Sequence, residues 1–416
     1  MRAMLAELLR TPRLPSVWAW SLLARLHVTA TGIALSLHVA GWTDSYLWAG
    51  VVSAGLALGS GAAGPLRGRA VDRRPSAPIL VITGVLYSAG LAALAFLPPS
   101  LWWLGPVIAL ATGLFLPPAT QVSRVVLPRM VPERLRASVY SMEAAMQELL
   151  FIAGPVGAAA AVSLSGARAA VLLCAGMALA GSLGFAWSVR RAGVSQPERP
   201  DADPADGARP AASAAPRRGG VLAVPGVLPL AAAYGLLGVG FNALDLALVA
   251  WARDRGTPGL AGVLALVWAL GSLVGGLYAA RGGGPGLVGR VLLAAVGQLA
   301  VAPFLPPLMA GHPVVLGAAL LVSGTTIAPA IGAIYTRLGE VAPAGRRAEA
   351  FGWLSTTATT GAAVGAPLAG ALLDGLGPAA AVALASSTAW VGVLVVRRVP
   401  KLPRPADESV REDART

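Results

Sequence analysis

Residues 77–100 and 259–280 each run without a single Asp, Glu, Lys or Arg. A helix rises about 1.5 Å per residue, so roughly 20 mostly apolar residues cross the hydrocarbon layer of a bilayer. Stretches of that length recur along the chain, at 16–39, 46–66, 77–96, 101–127, 138–162, 167–189, 227–250, 259–280, 288–309, 313–336, 348–373 and 379–396. Twelve membrane-spanning helices are the expectation. Composition agrees: 56% of the 416 residues are hydrophobic and 12% charged, with a mean hydropathy of +0.70. A soluble chain of this size needs far more charge to cover its surface.

The net charge of +13 would suit nucleic acid, but the arginines sit in short loops between apolar runs and form no continuous basic face. Cys174 is the single cysteine, and His27, His38 and His312 are scattered without ligand spacing, so neither a disulfide within the chain nor a metal site is expected. Arg2, Arg10 and Arg13 precede the first apolar stretch in the manner of a signal peptide. Arg25 interrupts that stretch, which runs on to Val39, so it reads as a retained first span.

Positive charge sets the orientation. Of 32 Lys and Arg, only Arg168, Arg253 and Arg255 fall on one side and Arg25 within a span. The rest lie on the side of both termini, which are therefore expected in the cytoplasm, with the chain in the inner membrane. The sequence also repeats. Leu58, Gly59, Ser60, Gly64 and Arg69 match Leu270, Gly271, Ser272, Gly276 and Arg281 at a shift of 212. Gly113, Pro118, Ala119 and Pro132 match Gly324, Pro329, Ala330 and Pro343 at 211, and Pro155 matches Pro367 at 212. A shift constant to one residue across three loops implies six spans followed by six in the same orientation. The domains expected are a six-helix bundle at 1–189, a flexible cytoplasmic linker at 190–220 rich in Pro, Ala, Asp and Arg, a second bundle at 221–396, and a tail at 397–416.

Gly68, Asp72 and Arg73, within Gly64-Pro65-Leu66-Arg67-Gly68-Arg69-Ala70-Val71-Asp72-Arg73-Arg74, resemble the signature that major facilitator superfamily transporters carry between spans two and three. Pro75, Ser76 and Ala77 replace its usual end, and the second copy keeps Gly276 and Arg281 but has Gly284 where the Asp would stand. The resemblance implies the all-α major facilitator fold of two pseudo-symmetric six-helix bundles. It also implies that Asp72 sits near the N-terminus of span eleven, where free N–H groups favour an anion, with Arg73 and its neighbours holding the halves together by charge. The other reading of these arginines is that they only enforce topology. In span five, Gly154-Pro155-Val156-Gly157 resembles the signature of the twelve-span drug:proton antiporters of that superfamily, although Leu150 and Ala158 replace two of its glycines. Close helix packing around Gly154, Pro155 and Gly157, and around Pro367 in span eleven, is the plainer account.

An ionisable residue at membrane depth costs ~3 kcal/mol or more and so needs a partner or a task. Asp245 lies in span seven among apolar residues. There it would carry a proton or attract a cationic substrate, or else pair with Arg253. Glu143 and Glu148 lie in span five, Arg25 in span one and Arg124 near the end of span four. The resembled fold makes spans one, four and five neighbours, so the expected pairs are Arg25–Glu148 and Arg124–Glu143, either as structural ion pairs or as a proton relay or substrate clamp. Pro117-Pro118 and Pro329 interrupt spans four and ten at corresponding positions, as in helices that line a transport cavity.

These features point to a proton-coupled secondary transporter that exports small amphipathic molecules by alternating access and works as a monomer. Import of a nutrient or metabolite with protons is the alternative, and a non-transporting membrane sensor a further one. No phosphate-binding Gly-rich loop, two-histidine zinc motif or nucleophile elbow is present, so neither an enzyme, a primary pump nor a cofactor is expected.

Overall fold

The computed structural model describes residues 7–8, 10–43, 46–197, 220–257, 259–282, 284–309 and 312–400, and among these every regular element is helical. Residues 198–219 of the expected linker and 401–416 of the tail lie outside the described residues. Ten helical stretches among the described residues are long and apolar enough to cross a membrane. One of them, Glu133–Arg191, holds two spans, because Gly166 takes φ 84° and ψ 163° and turns the chain between them. The 30-residue helix Arg347–Leu376, with Arg347 and Glu349 in its first turn, fits the remaining place in a set of twelve.

In chain order the spans are Leu14–Thr43; Tyr46–Ala62 continued by Gly64–Arg73; Ser76–Ala95; Gly105–Leu114 with Ala119–Arg129; the two parts of Glu133–Arg191; Val227–Asp254; Gly259–Ala279; Leu287–Leu299; Pro313–Gly324 with Ile327–Val341; Arg347–Leu376; and Pro378–Val396. Span four breaks at Pro117-Pro118, where proline supplies no N–H to the ladder. Span ten breaks at Thr325-Thr326, and Pro329 sits in the first turn of the helix that follows. The signature loop is helical rather than extended, since Gly64–Arg73 continues span two.

The repeat recurs in packing. Gly377 stands 211 residues after Gly166, has the same φ of 84°, and separates span eleven from span twelve as Gly166 separates five from six. Spans two and four approach so closely that a Cβ on Gly59 would overlap the Leu110 carbonyl, and one on Gly113 the Leu56 carbonyl. The second half does the same with Gly271 against Leu321 and Gly324 against Trp268. The small residues matched in the sequence are therefore the points where backbones touch, which is how lipid-embedded helices gain packing energy.

Each half packs span one on five, two on four and three on six, or their equivalents seven on eleven, eight on ten and nine on twelve. The halves meet through spans two, four, five, eight, ten and eleven. These contacts gather on the side that carries Asp72. There Gly64 faces Gly352, Thr356 Oγ1 donates to the Gly61 carbonyl at 2.7 Å, Gly276 faces Ala145, and Gly332 faces Ser141.

Candidate functional site

On the sealed side Asp72 lies against the N-terminus of span eleven. Its Oδ1 accepts from the Ala348 N–H at 2.9 Å and its Oδ2 from the Glu349 N–H at 2.7 Å. Both donors lie in the first turn of that helix and have no partner within it, so a carboxylate from the other half satisfies them and meets the positive end of the dipole. Gly68, one turn earlier, lies so close to Ala348 and Glu349 that any Cβ would overlap their backbone. The charge partner across the halves is Arg69, whose Nε lies 2.8 Å from Glu349. Arg73, expected in that role, is exposed. It is the last residue of the helix Gly64–Arg73, one turn beyond Arg69. Arg67 turns back into its own half and donates to the carbonyls of Ser60, Gly113 and Leu114, tying spans two and four together.

Deeper in the first bundle Arg25 pairs with Glu143, at 2.9 and 3.2 Å, instead of Glu148. The error lay in depth. Span five begins at Glu133, five residues before the start expected at Ser138, which moves both glutamates ~7.5 Å along the span. Trp18 Nε1 and Ser123 Oγ also donate to Glu143, at 2.8 and 3.1 Å, and Arg25 reaches back to Ser21. Spans one, four and five thus share one buried, satisfied ion pair.

Glu143 being so occupied, Arg124 does not pair with it. The Arg124 guanidinium lies 3.8 Å from the centre of the Tyr335 ring and 5.7 Å from that of Phe351, and it donates to the Tyr335 hydroxyl. Tyr234 joins the same hydroxyl at 2.9 Å. Arg124 is 3% exposed and belongs to the first half; Tyr234, Tyr335 and Phe351 belong to the second. A cation over two ring faces is a favourable desolvated contact. Arg124 and Tyr335 are 211 residues apart, so they are equivalent positions of the two repeats in contact with each other. Nothing in the sequence pattern marked an aromatic partner for this arginine.

Beyond that plug, polar groups from both halves converge. Glu148 of span five is half-buried, faces the Ser272 hydroxyl of span eight, and lies within electrostatic reach of Asp245 of span seven. Asp245 forms no ion pair among the described residues, so the expected alternative of pairing with Arg253 is not realised. Phe241, one turn before Asp245, meets Trp268, one turn before Ser272, at 5.8 Å between ring centres. The indole N–H of Trp268 and the side-chain oxygen of Gln147 are buried without a hydrogen-bond partner. Glu148 and Asp245, one from each half, thus share one region with the Ser272 hydroxyl. Among the described residues no cluster of three or more His, Cys, Asp or Glu is placed to hold a metal ion.

The proline and glycine motifs divide by position. Gly154 abuts span one, where a Cβ would overlap Thr29, and Thr29 Oγ1 donates to the Leu150 carbonyl at 2.8 Å. Gly157 faces open space. Pro155 and Pro367 lie inside continuous helices, whereas Pro118 directly precedes a helix start. Thr325 and Thr326, at the break in span ten, bond back to the carbonyls of Val322 and Ser323.

The sequence pattern of the Major Facilitator Superfamily matches residues 17–344. No curated protein matches the chain as a relative. Among solved structures the chain resembles a bacterial homologue of the iron transporter ferroportin in its outward-facing state, at 16% identity and a TM-score of 0.69 over 92% of this chain and 98% of that one. It resembles the human organic anion transporter MFSD10 at 16% identity and a TM-score of 0.65, over 93% and 99% of the two chains. The E. coli fucose:proton symporter FucP gives 16% and 0.65 over 93% and 100%.

Proposed function

The chain belongs to the major facilitator superfamily, and on that premise we propose that it is a proton-coupled secondary transporter that exports small amphipathic molecules by alternating access. The observation that carries this reading is the approach of Glu148 and Asp245, one carboxylate from each half, in the region between the bundles. Carboxylates at membrane depth lower their cost by binding protons or cationic groups, and like charges in mutual reach favour holding at least one proton. Opening to one side then exchanges that proton, and rocking of the halves carries the site to the other. The seal of Asp72, Arg69 and the Arg124 plug corresponds to closure on the side of the termini. The Lys and Arg distribution supports placing that side in the cytoplasm of an inner-membrane protein, and the proposed working unit is a monomer. The domains are the two bundles, 1–189 and 221–396, joined by the linker 190–220 and followed by the tail 397–416. In this reading Asp245 and Glu148 serve coupling or substrate, Arg25 and Glu143 hold the first bundle together, and Arg124 closes the gate.

Proteoliposomes test the proposal. With an imposed proton gradient, lipophilic dyes and antibiotics should move against their own gradients, and a protonophore should abolish this. Asp245→Asn and Glu148→Gln should each lose the gradient-driven component while keeping downhill exchange. If both variants respond to the gradient as the parent does, coupling by this carboxylate pair is wrong. The second reading is import with protons, supported by the activity of the structurally similar fucose:proton symporter. The direction of movement under the same gradient separates the two.

A further inference from the structure

We propose that a cavity beneath the turn joining spans eight and nine binds the phosphate headgroup of an anionic phospholipid, in the place where the first repeat uses a carboxylate. In the first repeat the segment after span two is a helix that delivers Asp72 to the other half. At the shift of 212 the residue corresponding to Asp72 is Gly284. The second segment turns instead of continuing as a helix, with positive φ, 85°, at both Gly282 and Gly284. Where the first repeat has backbone packed on backbone at Gly68, the second has a cavity of about 720 Å³.

Its chemistry is that of an anion site. Arg290, Arg337 and Arg397 line it, together with the hydroxyl-bearing Ser138 and Ser141 of span five and Thr336 of span ten. Among the described residues Glu340 is the one carboxylate in the lining and lies 3.0 Å from Arg337, so there the positive charges outnumber it. Guanidinium groups match phosphate oxygens in both charge and fork geometry. Location favours a lipid over a soluble phosphate. The cavity lies where spans eight, ten and twelve end, at Ala279, Val341 and Val396, which is the level of the headgroups. Tyr278 and Leu394, beside the lining, are exposed and offer an apolar wall for acyl chains. Basic pockets between helices at a membrane face are recurrent headgroup sites. A phosphate here touches span five of the first half and spans nine, ten and twelve of the second. It therefore steadies the same seal that Asp72 steadies at the pseudo-symmetric place.

The test needs no transport assay and is independent of substrate and coupling. The full chain is reconstituted in mixed phosphatidylcholine and phosphatidylglycerol, extracted in mild detergent, and its retained lipid read by native mass spectrometry. One phosphatidylglycerol per chain is expected, retained in the presence of inorganic phosphate. Each arginine removed should weaken retention roughly fivefold, so Arg290→Gln with Arg397→Gln should weaken it more than tenfold. Ala333→Phe leaves the charges in place and fills the cavity, so it should also expel the lipid, and it gives a second reading should the double variant fold poorly. Equal retention of phosphatidylcholine, or unchanged retention in either variant, overturns the proposal. Complete displacement by inorganic phosphate overturns the lipid as occupant and makes the cavity a soluble-anion site.

Discussion

Glu143 accepts hydrogen bonds from Arg25, Trp18 and Ser123 within the first bundle, and removing one charge of the pair strands the other. Arg25→Met or Glu143→Gln should each cost about 3–5 kcal/mol, seen as a lower unfolding temperature in detergent. The double replacement Arg25→Met with Glu143→Leu should recover most of that loss, because no unpaired charge remains. Asp245 has the opposite character, having no ion-pair partner to strand among the described residues, so Asp245→Asn should leave thermal stability within about 0.5 kcal/mol of the parent while altering coupling. The sequence was informative about which residues are ionisable at depth and poor at matching them. A mistake of five residues at the start of span five exchanged Glu148 for Glu143, because a helix converts each residue of offset into about 1.5 Å of depth. Arg124 went to an aromatic partner, for which no charge rule exists.

Among helices, the glycines separate into those that hold two backbones together and those that do not. Gly154 abuts Thr29 and Gly157 faces open space, although both belong to one motif. Gly154→Ala should lower the unfolding temperature measurably, and adding Thr29→Ala should restore part of it by making room. Gly157→Ala should be neutral or slightly stabilising, since alanine is the better helix former. The repeat was legible at this level because Gly59, Gly113, Gly271 and Gly324 are fixed by contact, and contact preserves spacing. Breaks were legible where proline made them, as at Pro118. The break at Thr325-Thr326, ahead of Pro329, was not placed to the residue, because a proline disturbs the turn before it and that turn can open at several places.

For the whole molecule, the closed side is held by fasteners of different kinds. Asp72→Asn keeps an acceptor oxygen but loses charge-assisted bonds worth about 1.5–3 kcal/mol each, so the halves should part more often on that side. With Cys174→Ala as background, a cysteine at Ser141, which faces Gly332 across the seal, should react with a maleimide at least tenfold faster in the Asp72→Asn protein. An unchanged rate would remove Asp72 from the seal. The plan of two like-oriented six-helix bundles was legible because bilayer thickness and positive charge leave few alternatives. The Arg124 plug was not, because it forms only when both repeats are folded and brought together. The two fasteners also differ in their response to ionic strength. Arg69, at the rim, has a side chain 42% exposed and meets Glu349 where counterions can reach, and at physiological salt such fields fade over about 8 Å. Arg124, under its rings, is shielded from the same ions. Salt should therefore loosen the edge of the closed face and leave its centre shut, making opening a peeling from the rim inward.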